Sequence, residues 1–74
     1  MNAKIRVLTG DFSWREFAVK VLIRLPGRAL VRVPELEETW IIGRDGVRDN
    51  DSNAVYPAHP DDCRALVGGG PEMN

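Results

Sequence analysis

Val19-Lys20-Val21-Leu22-Ile23-Arg24-Leu25-Pro26-Gly27-Arg28-Ala29-Leu30-Val31-Arg32-Val33 decides the fold, because it reads as two strands folded back on one another. Alternation places Val19, Val21, Ile23 and Leu25 on one face and Lys20, Leu22 and Arg24 on the other, with β-branched residues at three positions. With Pro26-Gly27-Arg28 as a three-residue loop, Leu25 faces Ala29, Ile23 faces Val31 and Val21 faces Val33. All seven apolar side chains then share the core side, and the opposite side is basic. A two-residue loop would set Val21 and Leu25 against Arg32 and Arg28, so the longer loop is expected. A competing reading takes residues 14–25 as a helix. Ser13-Trp14-Arg15-Glu16 has the form of a capping box, Phe12 and Phe17 of a hydrophobic staple, and Trp14, Phe17, Ala18, Val21, Leu22 and Leu25 form a stripe at helical spacing.

Outward from this hairpin, Ile5 and Val7 form a short alternating strand closed by Thr9-Gly10-Asp11. Glu38-Thr39-Trp40-Ile41-Ile42 reads as a further strand that buries Trp40 and Ile42. Arg44-Asp45-Gly46 is a turn, and Asp49-Asn50-Asp51-Ser52-Asn53 is a polar loop whose side chains bond local backbone. Ala54-Val55-Tyr56 adds a short strand, and Pro60 opens a helix that Gly68-Gly69-Gly70-Pro71 ends. The 74 residues suffice for one core only, and 43% hydrophobic with 28% charged residues is globular rather than disordered composition. Charges interrupt every apolar run, so no spanning helix is expected. Met1 to Arg6 lack the apolar run of a secretory signal, and Cys63 is a lone cysteine, so a cytoplasmic location is expected.

The net charge of −1 hides a polarity. Residues 1–34 carry seven Lys and Arg against Asp11 and Glu16, a balance of +5, whereas residues 35–74 balance at −6. Catalytic and metal chemistry fail by inventory. Ala58-His59-Pro60-Asp61-Asp62 is similar to the zinc motif of the N-acetylglucosaminyl-phosphatidylinositol deacetylase-like family. That resemblance would make His59 and Asp62 ligands and Asp61 the base, but Cys63 stands where the family has glutamate. A second histidine is also missing. The motif is therefore read as a helix start, with Asp61 and Asp62 complementing its dipole. Gly68-Gly69-Gly70 lacks the lysine of a phosphate loop.

Ile5-Arg6-Val7, Gly10-Asp11-Phe12, Val19-Lys20-Val21, Trp40-Ile41-Ile42 and Asp45-Gly46-Val47 follow one another as do the strands of a KOW domain. From residue 4 to 49 the chain thus resembles a small SH3-like barrel of the KOW type, found in ribosomal proteins and transcription factors. Phe17 replaces the glycine such domains carry ahead of the second strand. Type II dihydrofolate reductase is also an SH3-like barrel, but Ile41-Ile42-Gly43 lacks its glutamine and tyrosine.

The expected fold is therefore mainly β: an SH3-like small barrel of four or five short strands with a short C-terminal helix or tail. Residues 1–67 form the domain and 68–74 a flexible tail; the alternative is α+β, βαββ with helix 14–25. The expected function is non-enzymatic binding without a cofactor. A protein partner is favoured, as for a small accessory protein of a phage or mobile element, with nucleic acid as the alternative. The expected surface is Lys20, Leu22, Arg24, Arg28, Leu30 and Arg32, with Trp14 as an exposed stacking residue. Protein is favoured because Glu35, Glu37 and Glu38 follow directly on the hairpin and would repel a phosphate backbone.

Overall fold

The computed structural model describes residues 2–44 and 46–67, and the tail expected over 68–74 lies outside them. Strands β1 (Asn2–Leu8), β2 (Trp14–Leu25), β3 (Arg28–Val33), β4 (Glu38–Ile42), β5 (Gly46–Asp49) and β6 (Val55–Pro57) form one antiparallel sheet in sequence order. Val7 bridges to Ala58, so the end of the sheet returns to its first strand. The result is a nearly closed small β-barrel, compatible with an SH3-like barrel, followed by helix α1 (Pro60–Val67).

Residues 14–25 are a strand, not a helix. The groups of the would-be capping box are used in the preceding turn, where Ser13 N–H donates to Asp11 Oδ1 at 3.2 Å and Ser13 C=O accepts from Thr9 N–H at 2.8 Å. Phe12 has φ 63° and is 85% exposed, while Phe17 is buried, so the two rings form no staple. Phe17 lies on extended backbone inside β2, opposite Ile5.

The hairpin register differs from the expected one. The loop has two residues, Pro26 and Gly27, and sets Leu25 opposite Arg28 and Ile23 opposite Leu30. Proline fixes φ for the first turn position, and Gly27 at φ 79° supplies the left-handed second position, which is the chemistry of a type II turn. A bulge at Leu22 then shifts the register, so that Val21 faces Val31 rather than Arg32. Of the seven residues expected in the core, Val19, Ala29, Val31 and Val33 are buried and Val21 is half-buried. Ile23 and Leu25 are on the surface.

The core is completed by Ile5, Val7, Phe17, Trp40, Ile42 and Val47, with Cys63, Leu66 and Val67 of α1 packed beneath. Phe17 meets Trp40 edge-on at 5.5 Å between ring centroids. Strand β5 was read as turn and loop, because Gly46, Arg48 and Asp49 have low strand propensity. Asp49 is buried, and its Oδ1 accepts from the backbone N–H of Asp51 at 2.8 Å and of Ser52 at 3.2 Å. The Asp51 N–H in particular holds its carboxyl below the usual aspartate range.

Helix α1 starts as the sequence suggests. The His59 carbonyl accepts from Asp62 N–H and Cys63 N–H, its Nδ1 accepts from Asp61 N–H, and Pro60 occupies the first helical position. Asp62 joins the helix to β1. Its Oδ2 accepts from Arg6 backbone N–H at 2.9 Å and Nε at 2.8 Å, and its Oδ1 from Nη2 at 2.9 Å. Arg6 C=O in turn accepts from His59 N–H at 2.9 Å. The Arg6 guanidinium lowers the Asp62 pKa, and Asp62 raises that of Arg6.

Two outcomes are expected. Val31→Ala removes fully buried area and leaves a cavity, so it should cost about 1–3 kcal/mol in urea denaturation. A folded-state pKa below the unfolded value of ~3.9 means that Asp62 stabilises at neutral pH and that this stabilisation is lost as pH falls through the folded pKa. The stability gap between wild type and Asp62→Asn should therefore narrow on acidification below about pH 4; a gap that stays constant would remove Asp62 from the acid transition.

Candidate functional site

The outer surface of β2 to β6 is built from cross-strand rows. In the first, Lys20 stands opposite Arg32 and Arg32 opposite Thr39, whose Oγ1 accepts from Arg32 Nη1 at 3.2 Å. The second row runs Ile23, Leu30, Ile41, Arg48, Val55, each paired with the next. In the third, Leu25 pairs with Arg28, which the register sets level with Gly43; Gly43 N–H donates to Gly46 C=O at 2.9 Å, and Gly46 pairs with Pro57. Ile23 and Leu25 are each 50% exposed and Val55 66%, with Leu30 and Ile41 half-buried between them. An aliphatic band thus crosses five strands on the side away from the core.

Lys20, Arg28, Arg32 and Arg48 occupy these rows, and no carboxylate does. The acidic residues expected to lie across the hairpin are placed elsewhere. Glu35 pairs with Arg15, Glu37 sits in the turn after β3 at φ 53°, and Glu38 accepts from Trp40 Nε1 at 2.9 Å. Other described carboxylates are also engaged away from this face: Glu16 with Lys4, Asp62 with Arg6, Asp61 with Arg64.

The structure therefore brings together Lys20, Arg28, Leu30 and Arg32 of the expected surface. Leu22 is the bulge residue and is 48% exposed. Arg24 is carried off this face, because it pairs with Ala29, whose side chain enters the core. Trp14 lies at the far end of β2, roughly 30 Å or more from Leu25 at about 3.3 Å per residue, with its ring 5.3 Å from that of His59. Ile23, Leu25, Ile41, Arg48 and Val55 were missed as surface residues. A signal for them exists in Ala29-Leu30-Val31 and Trp40-Ile41-Ile42, where apolar residues fill both faces of a strand instead of alternating with polar ones.

A second depression, of 350 Å³, opens at the barrel mouth beside Phe17, Trp40, Tyr56 and Leu36. The chain occupies its aromatic wall itself, since the Arg15 guanidinium lies 4.6 Å from the Phe17 ring centre. Among the described residues no three His, Cys, Asp or Glu gather as metal ligands, and no helix is long and apolar enough to cross a membrane. His59, Asp61 and Asp62 are engaged in starting and docking α1, and Cys63 is buried. Comparison with protein-family models, curated proteins and solved structures finds no match to this chain.

The outward placement has a direct consequence for stability. Val55→Ser should change the unfolding free energy by no more than about 0.5 kcal/mol, and Ile23→Thr by less than about 1 kcal/mol. A loss of the size expected for Val31→Ala at either position would put that side chain in the core.

Proposed function

We propose that this chain is a non-enzymatic protein-interaction module, an accessory domain that holds a protein partner on the outer face of β2 to β6. The observation that carries this reading is the exposed aliphatic row Ile23, Leu30, Ile41 and Val55, set among guanidinium and ammonium groups without a carboxylate. Protein interfaces have this composition, with an apolar centre that excludes water and an arginine-bearing rim that fixes register. A small barrel with a side-chain-filled interior has no deep substrate cavity, which favours binding at the surface.

Nucleic acid is the second reading, in the manner of a KOW-type domain, and the carboxylate-free basic rows favour it. Sequence-tolerant binding of single strands uses aromatic stacking platforms, however, and the exposed aromatics Trp14 and Phe12 lie off this face. Isoleucine, leucine and valine cannot stack on bases. Protein is therefore the preferred partner class.

Tagged protein should capture the same partner from nuclease-treated and untreated lysates of the native host. Leu30→Asp should reduce capture about tenfold or more, and Leu30→Ala should weaken it more than Arg32→Ala. Capture that disappears with nuclease would transfer the function to nucleic acid. So would tight binding to random single strands with a log–log salt slope of about −0.7 per contact.

A further inference from the structure

The third row of the outer face holds a depression of 400 Å³ bordered by Arg28, Arg48, Ile41 and Val55 and floored by Gly43 and Gly46. Two glycines level with one another leave this part of the sheet bare. Neither packing nor backbone conformation demands them. A Cβ on Gly43 would have the Gly46 carbonyl oxygen as its nearest neighbour at 3.8 Å, and a Cβ on Gly46 the Tyr56 carbonyl oxygen at 3.6 Å, both ordinary contacts. Gly27, by contrast, needs its left-handed φ of 79°, and Gly43 has no such angle. Glycine weakens a strand and gives it nothing to pack, so its use at two facing positions points to a space kept open for something else.

The charge around that space identifies the occupant. Arg28 and Arg48 stand two strands and one row apart, a separation of about 12 Å from the standard sheet spacings, and each long stem spans about half of that. Their guanidiniums can therefore converge over the glycines. Resting on the protein-binding reading above, we infer that this depression seats a side-chain carboxylate of the partner, held by Arg28 and Arg48. The partner segment is extended and alternates acidic with aliphatic residues. Side chains two apart on an extended segment are separated by about 6.7 Å, the spacing between the glycine row and the Ile23-Leu30-Ile41 row. One carboxylate in the depression thus brings the next outward aliphatic side chain onto that band. Arginine suits this role because its planar fork matches a carboxylate with two parallel hydrogen bonds. A second copy of this chain does not fit, because it would bring the same four cations against themselves.

The test is a titration of ¹⁵N-labelled protein, followed by amide NMR shifts, with three probes: a capped hexapeptide alternating Glu and Leu, its Gln/Leu counterpart, and oligothymidylate. The Glu/Leu peptide is expected to shift the amides of Gly43, Gly46 and Arg48 and to bind about tenfold more tightly than the Gln/Leu peptide. Arg28→Gln combined with Arg48→Gln should abolish that preference. Gly46→Val should weaken the Glu/Leu peptide while preserving the melting temperature; should that variant not fold, the arginine pair alone decides. Equal affinity for the two peptides, shifts confined to other residues, or stronger binding of oligothymidylate at the same amides would each overturn the carboxylate seat. Loss of partner capture in Leu30→Asp without any Glu preference would defeat the seat alone, whereas retention of capture in Leu30→Asp would defeat the protein-binding reading beneath it.

Discussion

Side chains alternate across a strand with a period of two, so the barrel can take Val19 and Val21 inward from β2 only if β3 presents Val31 and Val33 to the same side. The tight Pro26-Gly27 turn imposes another register, in which Val21 would meet Arg32. One unpaired residue, Leu22, resolves the conflict. Below the bulge β2 serves the core; above it the parity is reversed, and Ile23 and Leu25 emerge beside Leu30 and Arg28. Core, turn and surface are thus linked through a single irregularity. Bulges commonly re-aim side chains in this way at barrel rims.

Closure of the barrel relies on polar groups as much as on strand pairing. β1 has β2 along one side, while its other side is met by a single bridge at Ala58, the His59 amide and the Asp62 carboxylate. Asp62 accepts the Arg6 amide as a neighbouring strand's carbonyl would, and it binds the Arg6 side chain with its remaining capacity. A helix start is thereby made to complete a sheet. The acidic first turn that superficially resembles a metal motif has a structural task, which explains why its carboxylates are not available to a ligand.

Most of the architecture was legible in the residues. Alternation at Ile5 and Val7, the β-branched run before Pro26, the buried Trp40 and Ile42 and the proline-led helix all report local preferences that tertiary packing leaves intact. The face that the proposed function uses was legible only in part. Lys20, Leu30 and Arg32 follow from alternation alone, but Arg24, Ile23 and Leu25 depend on a bulge that no local residue pattern announces. Leu22 is as suited to a regular strand as to an irregular one. Long-range consequences were equally hidden: that Arg48 and Val55 extend the row begun by Ile23 follows only from five successive registers, and the removal of Glu38 to the Trp40 indole follows from parity in β4.

The central claim is that the parity of β2 reverses at Leu22, because the composition of the outer face rests on it. Cross-strand NOE contacts between backbone protons of β2 and β3 measure this directly. The account predicts contacts between Ile23 and Leu30 and between Val21 and Val31. Contacts pairing Ile23 with Val31 and Val21 with Val33 would contradict it, returning Ile23 and Leu25 to the core side and Arg24 to the outer face.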